Sequence, residues 1–178
     1  MMIMPKVSVL RIGHRVGRDP RISTHCGLAA RALGADEIIY SGEHDEKLLN
    51  GINSTAERWG GSFSARFEPE WKKCILSYRK KGYTIVHMTM YGMPLQSVVK
   101  KIAKKKILVV VGGEKVPPEV YQLSDYNIAV TNQPHSEIAA LAVFLHEYFQ
   151  GKEKKFRGKL RIVPQERGKK VLEVKGKG

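Results

Sequence analysis

Cysteine is scarce: Cys26 and Cys74 are the only two in 178 residues. Two thiols do not make a disulfide framework, and a reducing cytosol is the expected compartment, so the chain reads as cytoplasmic. There is no Cys-x-x-Cys pair and no His-x-x-x-His helix pattern, so no metal site is expected. No apolar run reaches the ~18 residues that a membrane span needs. The opening MMIMPKVSVLRIG lacks the long apolar stretch and small-residue cleavage site of a signal peptide. Acidic residues are few: 17 Asp and Glu stand against 31 Lys and Arg, a formal net charge of +14. The known phosphate loops are missing as well. No G-x-x-x-x-G-K-[ST] occurs, and no G-x-G-x-x-G follows the first strand. That excludes a P-loop NTPase and disfavours both an ordinary dinucleotide site and the commonest methyltransferase fold. There is no G-x-S-x-G elbow.

What is present is a globular balance, with 42% apolar and 27% charged residues. The surplus of positive charge is unevenly placed. Residues 151–178 carry eleven Lys or Arg and three Glu. A second cluster gathers Arg11, Arg15, Arg18 and Arg21, with His14 and His25 among them. Such patches gain from counterion release on a polyanion, so nucleic acid is the expected partner; the competing reading is a solvated surface.

Strand-like and helix-like segments alternate along the chain. Strands are expected at Lys6–Ile12, Asp36–Tyr40, Ser62–Phe67, Tyr83–Met88, Lys106–Val111 and Asn127–Thr131. Helices are expected from a cap at Ser23 or Thr24 through HCGLAARAL, then at Glu46–Trp59, Pro69–Lys81, LQSVVKKIA and Pro134–Phe149. KILVVV is a continuous apolar run, as in a central strand covered on both faces. The pattern predicts an α/β fold: an open parallel sheet with helices on both faces, over residues 1–150. Residues 151–178 read as a basic extension, with a β-hairpin from Lys159 that bends at Glu166-Arg167-Gly168.

In such sheets ligands sit beyond the carboxyl ends of the strands. Three of those ends carry Gly/Pro-rich polar loops: Gly112-Gly113-Glu114-Lys115-Val116 after KILVVV, Asn132-Gln133-Pro134-His135-Ser136-Glu137 after NIAVT, and Thr89-Met90-Tyr91-Gly92-Met93-Pro94 after YTIVHM. Each taken alone is ordinary turn chemistry. Three on one edge point to a site.

RDPRISTHCGLAARALGA, VVVGGEKVPPEVY and NIAVTNQPHSEIAALAVFL together resemble the archaeal tRNA (cytidine-56)-2′-O-methyltransferase family of the SPOUT superfamily, over nearly the whole chain. The resemblance implies a deep trefoil knot, S-adenosylmethionine as cofactor and methyl donor, tRNA as substrate, and a homodimer. It assigns donor binding to Gly112, Gly113, Glu114, Lys115 and Val116, to Val130, Thr131, Asn132, Gln133, Pro134, His135 and Ser136, and to Met88 and Thr89. In related 2′-O-methyltransferases the first motif reads Asn, five residues, Arg. His25 and Arg31 stand at those places here, which makes Arg31 the candidate catalytic residue acting on the 2′-hydroxyl. Arg15, Arg18 and Arg21 are the candidate contacts to tRNA phosphates. A free guanidinium, with a pKa above ~12, is a poor base, so Arg31 either has a perturbed pKa or orients the ribose. His135 is a further candidate base. Two readings compete: a non-catalytic basic RNA-binding module, and a SPOUT methyltransferase acting on another RNA site.

Overall fold

The computed structural model describes residues 4–113 and 115–174. Six strands form one sheet: β1 (Val7–His14), β2 (Glu37–Gly42), β3 (Ser64–Phe67), β4 (Thr84–Pro94), β5 (Ile107–Gly112) and β6 (Tyr126–Ala129), in the order β3-β2-β1-β5-β4-β6. Every pairing is parallel. Val9 lies between Ile38 and Val109, and Val86 pairs with Val109 on the other side of β5. Among the described residues the helices are α1 (Pro20–Ala32), α2 (Glu46–Trp59), α3 (Trp71–Lys80), α4 (Leu95–Ile102), α5 (Pro118–Leu123) and α6 (Glu137–Tyr148).

Strand alternation sorts the core into two layers. Val7, Val9, Val109 and Val111 face α1, α2, α4 and α6, where Ala30, Ile52, Ile102, Leu141 and Phe144 meet them. Leu10, Ile12, Leu108 and Val110 face α3 and α5, against Ile75, Tyr78 and Val120. Burial on both faces is why β5 reads as an unbroken apolar run, Ile107 to Val111. After β1 the chain runs outward to β2 and β3, then crosses back so that β5 lies beside β1. The order of strands therefore reverses at the β1–β5 junction, which opens a crevice beyond their carboxyl ends.

The structure departs from the sequence expectations at several element boundaries, among them the start of the last helix, expected at Pro134. α1 begins at Pro20 rather than at His25, because proline suits the first helical position and its missing N–H costs nothing there. β4 does not stop at Met88: residues 89–94 stay extended, with an irregularity before Met93 pairs with Ile128 and Pro94 with Ala129. Gly92 permits this, since a Cβ there would sit 2.6 Å from the Asn127 carbonyl and the Ile128 nitrogen. The short helix α5 was not anticipated; it starts at Pro118, behind Pro117. α6 begins at Glu137, with Ser136 as the cap whose Oγ accepts from the Ala139 N–H at 3.2 Å.

The tail forms the expected antiparallel hairpin, β7 (Leu160–Ile162) with β8 (Val171–Glu173). A two-stranded hairpin is marginal alone, and this one is tethered: Lys154 pairs with Asp36 at 2.7 Å and Lys159 with Glu57 at 3.1 Å.

Candidate functional site

At the carboxyl ends of β1, β4 and β5 lies a cavity of about 530 Å³. Three loops wall it. From the end of β4 come His87, Met88, Thr89 and Tyr91; after β5 come Gly112, Gly113 and Val116; before and within α6 come Pro134, His135, Ser136 and Glu137. Arg15, Arg18, Asp19 and Ile22, from the β1–α1 turn and the start of α1, form the remaining wall, with Arg11 at its base.

Hydrogen bonds lock the loops to one another. Asn132 Nδ2 donates to the Met90 carbonyl at 2.7 Å and to the Gly92 carbonyl at 3.2 Å, clamping the β6–α6 loop onto the extended end of β4. Thr89 Oγ1 and the Tyr121 hydroxyl lie 3.1 Å apart. His87 places Nδ1 2.9 Å from Asn127 Oδ1 and stands edge-on to Tyr121. Burial lowers its pKa, so it is neutral at pH 7. His135 Nδ1 is 2.7 Å from the Gln133 carbonyl; with Nδ1–H donating there, Nε2 is left as the acceptor nitrogen. Gly112 brings its backbone against Val116, whose Cγ2 would lie 2.5 Å from an added Cβ, whereas a Cβ at Gly113 would meet nothing within 4 Å.

Below these loops lies a buried set of charges. Arg11 is 1% exposed, and its Nη2 donates to Glu137 Oε1 at 3.0 Å. Arg11 Nη1 stands 4.0 Å from Asp19 Oδ2. Arg15 holds Asp19 through Nε (2.9 Å) and Nη2 (3.1 Å), and its backbone N–H donates to the same carboxylate. That grip depresses the Asp19 pKa below its ordinary value. Behind it, His14 bridges Ser23 Oγ at 2.6 Å and Asp45 Oδ2 at 3.0 Å, fixing the β1–α1 turn to the start of α2.

The cavity gathers eight of the residues expected to bind the donor: Met88, Thr89, Gly112, Gly113, Val116, Pro134, His135 and Ser136. Lys115, Val130, Thr131, Asn132 and Gln133 do not line it; Asn132 acts from behind, as the clamp just described. Glu114 lies outside the described residues. Arg15 and Arg18 reach the wall and Arg21 does not.

Arg31 is elsewhere. It sits on α1 past Ile22 by about 13 Å of helix axis, at ~1.5 Å per residue. Its Nη2 donates to the Gly60 carbonyl at 2.7 Å, and its guanidinium covers the Phe156 ring at 4.5 Å. With 8% exposure it is buried against its own chain, and burial lowers its pKa. α1 is entered from the cavity end and Arg31 lies toward its other end, so Arg31 does not line the cavity of its own chain. Sequence reasoning assigned no role to Arg11 and Glu137. The available signal was a charge at an inward position of the strand KVSVLRI, where alternation calls for an apolar residue.

A second hollow, of about 500 Å³, lies between β2, β3 and α3. Its polar groups satisfy one another: the Tyr78 hydroxyl donates to Glu37 and accepts from Arg66.

Residues 59–172 match the family described as tRNA ribose 2′-O-methyltransferase, aTrm56. The chain is similar to the tRNA (cytidine(56)-2′-O)-methyltransferase of Thermococcus kodakarensis, with 51% identity covering 94% of this chain and 97% of the relative. Among solved structures, the TrmH/SpoU tRNA modifying enzyme of A. aeolicus superposes with a TM-score of 0.63 at 17% identity, over 83% of this chain and 76% of that one. The SpoU methyltransferase AviRb of Streptomyces viridochromogenes, in complex with the cofactor AdoMet, superposes with a TM-score of 0.60 at 19% identity, over 84% of this chain and 59% of that one. At these identities the two superpositions establish the fold.

Proposed function

The chain belongs to the tRNA ribose 2′-O-methyltransferase family, and we propose that its cavity is where the ribose of cytidine 56 in the tRNA T-loop receives a methyl group from S-adenosylmethionine. The activity rests on one observation, 47–51% identity over 94–96% of this chain to relatives that carry this activity in their names. Bound at the site, S-adenosylmethionine supplies an electrophilic methyl group on a sulfonium.

The residues fit that group. A cavity of about 530 Å³ is within the range of sites for ligands of this size. The open space at Gly113 lets a flat base lie against the backbone, and Met88 and Val116 offer apolar walls. The carboxylate of Asp19 suits a positive sulfur. In-line transfer needs the nucleophilic oxygen near the methyl carbon and aligned with the breaking bond, so most of the protein's work is positioning. The hydrogen bonds of Asn132 and Ser136 hold the loops that would do this. Arg15 and Arg18, at the rim, are suited to the phosphates that flank the target nucleotide.

Three further points belong to the same proposal. The α/β domain carries a deep trefoil knot, as the family likeness implies, and the clamp from Asn132 to the Met90 and Gly92 carbonyls holds two of its donor loops together. A second copy covers α1 and α6, where Ile22, Leu28 and Val143 are exposed. Residues 1–150 form the catalytic domain, working in the cytoplasm, where the substrate is.

The test is incubation with labelled S-adenosylmethionine and an unmodified tRNA transcript. Label at the cytidine-56 ribose, with the next phosphodiester made resistant to alkali, is the expected result. Label at another nucleotide rejects the site, and no label in any RNA rejects the activity.

A further inference from the structure

Among the described residues, the buried side-chain polar atoms with no hydrogen-bond partner are Arg11 Nε, Arg11 Nη1, Glu137 Oε2 and Arg31 Nε. Three of the four belong to one contacting pair, and that pair lines the cavity. A buried polar group without a partner is costly, and a cluster of them calls for an explanation. Glu137 Oε2 has no donor, and beside it Arg11 Nε and Nη1 have only the Asp19 carboxylate, 4.0 Å from Nη1, and the weakly accepting Cys26 sulfur. A phosphate would satisfy only Arg11, and an ammonium only Glu137. A hydroxyl satisfies both, because it offers one O–H and two lone pairs. The 3.0 Å contact between Arg11 Nη2 and Glu137 Oε1 holds the open groups side by side, which suits a single oxygen atom.

We infer that Glu137 is the proton acceptor for the target 2′-hydroxyl and that Arg11 holds both Glu137 and that hydroxyl. This rests on the methyltransferase reading above. The hydroxyl donates to Glu137 Oε2 and accepts from Arg11. As the O2′–CH₃ bond forms, the CH₃–S bond breaks with its electron pair left on sulfur, which becomes a neutral thioether; the hydroxyl proton passes to Glu137 Oε2 and then to solvent. A carboxylate with a vacant oxygen is the better base here, because a guanidinium stays protonated and Arg31 is engaged with Gly60 and Phe156. Arg11 orients Glu137 through the Nη2–Oε1 hydrogen bond. The other groups facing the pair are Asp19, held by Arg15, and the Cys26 thiol on α1, which burial pushes up to about 12 and out of the chemistry. His135 stands on the loop before α6 and is tied by Nδ1 to Gln133.

Two measurements test this. The first uses the wild-type protein with S-adenosylhomocysteine and compares tRNA transcripts carrying cytidine or 2′-deoxycytidine at position 56. The ribo form should bind about fivefold tighter or more, and Glu137→Gln should shrink the preference to under about twofold. The second is single-turnover methylation across pH. Glu137→Gln should slow transfer about 100-fold or more, while the calorimetric Kd for S-adenosylmethionine stays within about threefold. The wild-type rate should rise with unit slope at acid pH and then level, and the variant should lose that limb. Glu137→Asp, which keeps the charge but shortens the reach, should retain the limb at a lower plateau. Equal binding of the two transcripts by the wild type overturns the inference without any variant. So does a Glu137→Gln rate within about tenfold of wild type. A loss of donor affinity with an unchanged rate at saturating donor also overturns it, and assigns the pair to the donor's amino-acid end. Failure of the wild type to methylate tRNA at all is the separate failure of the methyltransferase reading.

Discussion

Arg15 grips Asp19 with two parallel hydrogen bonds, Nε to Oδ2 at 2.9 Å and Nη2 to Oδ1 at 3.1 Å, and so fixes the turn that forms the cavity rim. The hydrogen bonds from Arg15 hold the Asp19 pKa below the ordinary 3.8. A group with a depressed folded pKa adds stability above its unfolded value and loses it as pH falls toward the folded one. Asp19→Asn should therefore destabilise the protein by about 1–3 kcal/mol at neutral pH. The difference from wild type should fade as pH falls below about 3.8 toward the lower folded value. Urea unfolding at several pH values checks this; a constant difference down to pH 2 would contradict it.

Arg31 joins α1 to the tail. Arg31→Ala removes a charged hydrogen bond to the Gly60 carbonyl and the contact with Phe156. The expected cost is about 2–4 kcal/mol of stability. At a temperature where the variant stays folded, its single-turnover rate should remain within about fivefold of wild type. A large rate loss with unchanged unfolding would return Arg31 to the chemistry.

Gly113 and Gly92 separate ligand space from folding space. Gly113→Ala meets no atom within 4 Å, so the melting temperature should hold while donor affinity, read by calorimetry, falls. Gly92→Ala presses on the Asn127 carbonyl and the Ile128 nitrogen, both rigid backbone, and should lower stability as well as donor affinity.

Arg18 stands at the cavity wall and Arg21 does not. Arg18→Ala should weaken tRNA binding and lower the slope of log K against log salt by about 0.7–0.9, the release of one phosphate contact. Arg21→Ala should change the slope less. Filter binding at several salt concentrations reads both.

His14 joins three elements through Ser23 and Asp45. Ser23→Ala leaves a buried imidazole nitrogen without a partner and should cost about 1–3 kcal/mol in denaturant unfolding. A neutral effect would show that the bridge adds nothing to the fold.

Much of the architecture was legible one segment at a time. Val and Ile repeats marked six strands, Glu46–Trp59 and the alanine-rich α6 marked helices, and the lysines and glycines of the end marked a hairpin. Local chemistry decides such features, because periodicity and turn residues act within a few positions. The extended run past Met88 was not legible, since Gly92 and Pro94 read as a turn until β6 is seen to lie beside them.

The sequence alone determined that the molecule is a basic parallel α/β protein with three polar loops at strand ends, and its motifs determined the family. Tertiary structure decided which charges meet. Arg11 and Glu137 are 126 positions apart and touch only because β1 is central and α6 packs over the neighbouring β4 and β5 and against α1. Arg31, placed by motif beside the chemistry, is carried by the rise of α1 to the opposite end and closed in by Phe156. Such pairings depend on the register of distant strands and the direction of a helix axis, quantities that no local window of sequence contains.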